Sequence, residues 1–549
     1  MIPFQDWRWL VPRRGADEKV QCALHAECST APIGNGVCYR TRCGACAKAR
    51  LRFSAGAVCP AHHSPEYRKA GKQRSIALNR TVPLVLAVAL FMEQMDSTVI
   101  ATSLPAIAAD IGTSPVTLKL ALTTYLVALA IFIPVSGWMA DRFGPKQVFR
   151  AAIAVFVVGS VACAFSNSLG AFVLSRFLQG MGGAMMTPVG RLVLVRATPR
   201  KELVSAMAWL SVPALIGPIA GPPLGGFITT YFSWHWIFLI NVPIGLVGIL
   251  VSGRVLPEFP MQPTGRLDVA GFVLSGLAAS GLVFGLSVIS LPALPPIVGL
   301  LTVLVGVAAT VLYIRHARRT STPVLALGLF RNRTFRAAIV GGSLFRVGVG
   351  AVPFLLPLMF QTVFGLTPFE SGLLTFASAF GAIAMKFTAT TALRLGGFRH
   401  VLVIAALLGA FSMGVNAYFT PSTPHGVIIA VLIVAGLLRS LFFTSANALT
   451  FADVSDREAS QASSIAAASQ QISIAMGVAI GGGVLEATSF FTGTALGLDA
   501  FVNAFLIVSC ISALAAVPFF LLPPETGANV SGHGRRRSGT GDGQAQAAE

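Results

Sequence analysis

The chain has 549 residues, 54% of them hydrophobic and only 11% charged, whereas about a quarter of a soluble domain is charged. That balance, with a mean hydropathy of +0.74, excludes a soluble fold and describes an all-α polytopic membrane protein. The net charge of +19 does not indicate a nucleic-acid partner, because the basic residues fall between alternate apolar runs, where they orient a membrane protein. Backbone groups in lipid must be satisfied within their own segment, so the apolar runs are helices. The alternating strands of a membrane barrel are not visible.

Residues 1–79 stand apart as a basic, weakly patterned extension holding six of the eight cysteines, between Cys22 and Cys59. It has no apolar core of a secretory signal peptide. Cys43-x-x-Cys46, with Cys38, Cys59, His62 and His63 nearby, raises a zinc reading. A zinc ribbon takes two such pairs and only one is present, so the expectation is a disordered cytoplasmic extension without a metal. A misplaced start codon is the other reading of this segment. Cys163 and Cys510 fall inside apolar runs and read as small packing residues.

Fourteen apolar runs follow, near 82–105, 117–139, 147–166, 170–194, 204–229, 236–254, 268–289, 294–314, 335–364, 370–393, 400–419, 426–450, 463–488 and 500–522. Most have the about 17–25 residues that span a bilayer. The run 335–364 is longer, and Pro353 and Pro357 are expected to kink it. Basic connections hold Arg142, Lys146 and Arg150, then Arg196, Arg200 and Lys201, Arg254 and Arg266, the Arg315–Arg333 cluster, Arg394 and Arg399, and Arg457. The intervening loops hold almost none. Both termini are therefore expected in the cytoplasm, which requires an even number of spans.

A weak repeat divides the chain. Gly396-Gly397-Phe398-Arg399 after the tenth run echoes the Gly144 turn after the second, and Gln470 to Gly483 echoes Pro213 to Gly226. The expected organisation is a six-helix bundle over 80–256, a linker with two inserted helices over 257–334, a second six-helix bundle over 335–522, and a disordered tail over 523–549. Two such halves around a central cavity are a transporter layout.

Charges inside the runs carry the chemistry. Asp96 lies midway along the first, and an acid there costs several kcal/mol, about 3 on insertion scales, unless it faces a cavity or a partner. Desolvation suits such a carboxylate to loading and releasing a proton. The bland reading is a helix-end acid in solvent. Glu93 is three residues earlier on the same face. Arg176 must find acceptors in the membrane, either near an acid or as a bridge across the bundle. Arg346, Arg439, Lys386 and Glu486 also lie in or near spans. Arg346 and Arg439 are candidates for cavity cations that would take an anionic group, whereas Lys386 and Glu486 read as snorkelling near span ends.

Two backbone motifs complete the pattern. Gly217, Gly221 and Gly225 recur every four residues, interleaved with Pro218, Pro222 and Pro223 and followed by Gly226. The glycines make a smooth stripe for close helix approach, and the prolines interrupt the hydrogen-bond ladder. Between the second and third runs, Gly137, Asp141, Arg142, Gly144 and Lys146 form a charged turn, with the two glycines expected to permit close approach and a tight reversal.

That turn resembles the G-x-x-x-D-R-x-G-x-[KR] signature of the major facilitator superfamily. The Asp96 segment, the Arg176 helix and the glycine-proline helix resemble further motifs of that family, the last being its antiporter motif. Ser233 to Gly245 is similar to the opening of the sixth helix in the fourteen-helix drug:proton antiporters of EmrB/QacA type, and Gly180 to Arg191 and Leu329 to Phe335 resemble the MdtD/HsrA-like members. The resemblance covers about residues 80–522. It implies proton-coupled efflux of amphipathic compounds by alternating access. Asp96, Glu93 and Arg176 would then be the coupling residues, the Asp141 turn a lock between the halves, and the fifth helix a hinge and seal. Pro145 departs from the family, which usually has Arg there, and removes one charge from the lock.

The alternative of the same fold is a narrow-substrate metabolite or siderophore transporter, with symport as one form of that reading. A membrane-embedded enzyme or sensor lacks a catalytic constellation and a metal motif. No cofactor is expected, the drive being the proton gradient. The expected partners are the substrate, protons and the lipid bilayer. Some relatives use periplasmic adaptor proteins, but nothing in the sequence identifies such a contact. The expected location is a bacterial inner membrane.

Overall fold

The structure, a computed structural model, describes residues 81–199, 202–259, 261, 264–289, 291, 294–455, 458–493 and 496–531. The expectations for residues 1–79 and the Cys43 pair, for Arg200, Lys201 and Arg457, and for the tail beyond 531 lie outside the described residues.

Every apolar run is a helix, and the described residues contain no strand. In the first half the helices are α1 (Thr81–Val99), α2 (Lys119–Phe143), α3 (Pro145–Ala164), α4 (Leu169–Ala197), α5 (Leu203–Tyr231) and α6 (Asn241–Val255). Next in the chain come α7 (Val269–Ile289) and α8 (Pro296–Ala317), at the place expected for the inserted pair. The second half opens with α9 (Arg333–Thr362) and continues through one long element, Pro368–Val415, that breaks at Gly397 into α10 (368–396) and α11 (398–415). It ends with α12 (His425–Thr450), α13 (Ala459–Thr492) and α14 (Leu498–Ala513). Among the described residues, eleven helical segments are long and apolar enough to cross a membrane, one of them containing both α10 and α11. The charge-bearing α4 and the proline-rich α5, at 29 residues each, are also long enough at 1.5 Å per residue. The helices are thus consistent with fourteen spans.

Local chemistry sets the helix ends. Asn332 accepts from the Thr334 and Phe335 N–H groups at the start of α9. Thr367 and Glu370 form a reciprocal cap at the start of α10. Asp268 accepts from the Gly271 N–H at the start of α7 and meets the His316 ring of α8 at 2.7 Å. Burial pushes the Asp268 carboxyl up, but these bonds together with one from the Val324 N–H outweigh it and hold the group below its ordinary range.

The charged turn is tighter than the sequence suggests. α2 runs through Asp141 and Arg142 to Phe143, Gly144 alone is non-helical (φ 88°), and Pro145 opens α3. Proline suits that first position because its missing N–H would have had no helical partner. Gly137 does not serve close packing as expected, since nothing lies within 4 Å of where its Cβ would be. The repeat unit does hold: Gly397 (φ 67°) is likewise the single residue separating two helices. Pro353 and Pro357 both lie inside α9, which continues through 30 residues.

The glycine stripe packs as its spacing requires. A Cβ on Gly217 would meet Gln94 and Phe91, and one on Gly221 or Gly225 would collide with Thr98 or Val99, so α5 lies directly on α1. In the second half Gly477 faces the Val347 carbonyl and Gly481 faces Ala351 and Leu355, which seats α13 on α9 in the equivalent way.

Candidate functional site

A cavity of about 470 Å³ lies between the halves, bounded chiefly by α1, α2 and α5 on one side and α9, α10, α12 and α13 on the other. Leu126, Phe345, Phe354 and Phe376 contribute to a mainly apolar wall. Glu93, Gln94 and Arg176 enter it from the first half, and Arg439, Gln470 and Gln471 from the second.

Behind the first-half wall is a buried polar network. Asp96 and Arg176 are both fully buried. Arg176 Nη1 donates to Asp96 Oδ2 at 2.7 Å and to Gln179 Oε1 at 2.6 Å. Gln179 Nε2 and Asn241 Nδ2 donate to Asp96 Oδ1 at 2.8 and 3.0 Å, and both also reach Ser160 Oγ at 2.9 Å. Every partner of Asp96 here is a donor, the arrangement that suits a carboxylate. The Arg176 guanidinium carbon lies 4.3 Å from the centre of the Tyr125 ring, while Nε and Nη2 have no hydrogen-bond partner among the described residues. These groups come from α1, α3, α4 and α6, so the network ties the bundle across its width. Asp96 and Glu93 share a helix but not an environment.

Glu93 is the carboxylate on the cavity wall. It is buried by its neighbours, and Thr187 Oγ1 donates to its Oε2 at 2.5 Å. Gly183 makes room for it: a Cβ there would stand 3.2 Å from Tyr125 Oη and 3.5 Å from Glu93 Cγ. Tyr125 Oη is itself buried, without a hydrogen-bond partner among the described residues.

The halves meet at the end of the molecule away from the basic loops. There Lys119, at the start of α2, forms an ion pair with Glu486 near the end of α13, and Gly482 lies against the Lys119 stem. In the equivalent contact Gly226 lies against Pro368, Gly372 against Pro222, and the Phe369 N–H donates to Thr230 at 3.1 Å. Gln361 Nε2 also reaches the Thr102 carbonyl at 3.0 Å. Glu486 is therefore not a snorkelling end residue: burial would strand its charge, and Lys119 compensates it. Lys386 is exposed.

At the opposite end Asp141 pairs with Arg196 of its own half at 2.6 Å. Arg142 is exposed, and Lys146 lies 3.8 Å from the exposed Glu258. Among the described residues no hydrogen bond or ion pair from this turn to the second half accompanies these pairs. The expectation for the second-half cations divides. Arg439 stands on the cavity wall midway along α12. Arg346 does not line the cavity: its guanidinium bonds Asn447 Oδ1 at 3.2 Å and lies over the Phe443 ring at 5.0 Å.

Gln179, Asn241, Ser160, Thr187, Tyr125 and the Lys119–Glu486 pair are contributions the sequence reading did not assign. A solitary Asn or Gln within an apolar run was the available signal for the first two, since a buried amide must find partners.

The family model for the Major Facilitator Superfamily matches residues 86–331 and 338–544. The chain is 36% identical, over 461 residues, to the "Putative multidrug resistance protein MdtD" of Escherichia coli O139:H28 (strain E24377A / ETEC), covering 83% of this chain and 97% of that protein. Among solved structures it is similar to a D-xylose-proton symporter, with a TM-score of 0.58 and 17% identity over 81% of this chain and 98% of that one. It is also similar to a POT family transporter in complex with 5-aminolevulinic acid, with a TM-score of 0.62 and 16% identity over 80% and 96%. At these identities the likeness to the solved structures is one of fold.

Proposed function

The chain belongs to the Major Facilitator Superfamily, a family of transporters, and from that premise we propose that it exports amphipathic small molecules across a bacterial inner membrane in exchange for protons. The observation that carries this reading is the mainly apolar cavity with one carboxylate, Glu93, on its wall and the Asp96–Arg176 network directly behind it. An apolar body partitions into such a cavity without a specific bonding pattern. A carboxylate beside it can carry a proton in one direction and give it up in the other.

The two acids have separate tasks. Glu93 is the exchangeable group: when protonated it presents no charge to an apolar substrate, and on release of the proton it regains one. Asp96 holds Arg176 and the four helices that meet there, so that a change at the cavity wall is transmitted through packed and hydrogen-bonded neighbours. Tyr125, packed on Arg176 and near Glu93 beside Gly183, stands between the two sites. The proton gradient supplies the energy, with no cofactor.

The basic loops face the cytoplasm in this reading, so the sealed end is the outer one and the present state faces inward. Opening outward requires Lys119 to leave Glu486 and α5 to part from α10. The glycine-proline stripe supports that movement, because close backbone packing without interlocking side chains lets α5 shift on α1. Asp141 is engaged with Arg196 in this state, and its lock role belongs to the outward-facing state, when the second half reaches the turn. The charge-poor turn at Pro145 leaves Arg142 and Lys146 for that contact.

The test is proton movement in proteoliposomes under an imposed pH gradient, with cationic, neutral and anionic amphipaths added in turn. Substrate-triggered movement in wild type, abolished in Glu93→Gln while substrate binding persists, is the expected result. Movement retained in Glu93→Gln but lost in Asp96→Asn transfers the proton to Asp96. Substrate flux without proton movement in wild type overturns antiport.

A further inference from the structure

Arg439 is the unexplained charge of the cavity. It sits midway along α12, half-buried, with its side chain on the cavity wall. Its surroundings are built to hold it there. Gly436 is pressed against the Ser378 backbone and Gly381 against the Ile433 carbonyl, so α12 and α10 touch along their backbones. Ser440, the next residue, donates to the Ala382 carbonyl at 2.9 Å. Helices this close leave no room for a long side chain between them, and the guanidinium is directed into the open space.

No carboxylate lies within ion-pair distance of Arg439 among the described residues. Its recorded side-chain partner is Ser378 Oγ, at a long 3.5 Å. A guanidinium stays charged and carries five donors, so most of its bonding capacity faces the cavity. This contrasts with Arg346, which is taken up by Asn447 and Phe443, and with Arg176, which is neutralised by Asp96. Gln470 and Gln471 add polar groups to the same half of the wall, while Leu126 and Phe354 keep the cavity apolar elsewhere.

We infer that the cavity takes an amphipathic anion, an apolar body bearing a carboxylate or similar oxyanion that pairs with Arg439. The inference rests on the cavity being the transport site and names the substrate class it admits. The apolar body occupies the space between Phe345, Phe354 and Phe376, and the oxyanion accepts from the guanidinium, with the wall amides available beside it. Glu93 on the other wall orients the molecule by repelling its charged end. A cationic end, by contrast, would be repelled by Arg439 and could be met only at Glu93 on the opposite wall.

The test is equilibrium binding by calorimetry to the purified full-length protein in lipid nanodiscs, with three ligands sharing one body: naphthylacetate, naphthylacetamide and naphthylmethyl-trimethylammonium. Wild type is expected to bind the carboxylate about tenfold or more tighter than the amide, the scale of a charge-assisted hydrogen bond, and the ammonium weakest. Arg439→Gln should bring carboxylate and amide to equal affinity with the amide unchanged, and Arg439→Lys should keep part of the preference. Equal binding of carboxylate and amide by wild type, preference for the ammonium, or a preference for the anion that survives in Arg439→Gln overturns the inference. Should Arg439→Gln not fold, the wild-type ligand series and Arg439→Lys decide. The assay needs no proton gradient, so failure of proton coupling leaves it standing. Binding by none of the three overturns the reading of this cavity as the transport site, and the inference with it.

Discussion

The two halves share a backbone plan but treat buried charge in opposite ways. Gly144 and Gly397 each separate two helices as single residues with positive φ, and the stripes at Gly217 and Gly477 seat α5 on α1 and α13 on α9. In the first half the buried Arg176 is matched by Asp96 and enclosed by Gln179, Asn241 and Ser160. In the second, Arg346 and Arg439 have only neutral partners among the described residues. Glycine positions preserve the repeat because they set how closely backbones approach, and any larger residue would break that packing. Charges follow what each half must bind or hold, so they differ between the halves.

The largest effect that breaks this comparison is loss of one member of the first-half pair. Asp96→Leu or Arg176→Met should each destabilise by about 3–5 kcal/mol, because the remaining charge is left buried. The double variant should recover much of that loss. Thermal unfolding of the four proteins in detergent closes the cycle, and additive losses would show that the two residues act independently.

Glu486→Gln comes next, at about 2–3 kcal/mol, since Glu486 retains some exposure and Lys119 loses its carboxylate. The sealed end should loosen. A Phe369→Cys probe should then react faster with a maleimide than in the parent, and an unchanged rate would remove the ion pair from the seal.

Gly221→Ala and Gly477→Ala sharpen the shared part of the plan. Each places a methyl group against Thr98 or the Val347 carbonyl and should cost about 1–3 kcal/mol of overpacking. A cost in only one of them would mean that the two stripes are not equivalent. Arg346→Met should have the smallest effect, within about 1 kcal/mol, because it removes a buried cation together with its desolvation penalty and sacrifices one 3.2 Å bond. A loss as large as that of Arg176→Met would erase the contrast between the halves. Unfolding midpoints measure both.

The spans were legible because partition into lipid depends on the residues of one segment. The fourteen apolar runs accordingly fall on helices, including 170–194 within α4 and 204–229 within α5. The glycine stripe was legible for the same reason: a spacing of four lines one helix face whatever lies opposite. Asp96 and Arg176 were recognisable as costly charges, but their being partners was not, since 80 residues separate them. Glu486 shows the limit most clearly. Its position near a span end reads as snorkelling, and only a lysine 367 residues away makes it a buried ion pair.

The sequence alone thus determined the membrane class, the helices, the repeat and the family, because hydropathy, charge bias and glycine spacing act locally along the chain. The tertiary structure decided which charges meet. It put Glu93 rather than Asp96 on the cavity wall, took Arg346 off it, left Arg439 on it, and joined the two halves through Lys119 and Glu486. Electrostatic pairing depends on distance in space, and distance in space is set only when the helices pack.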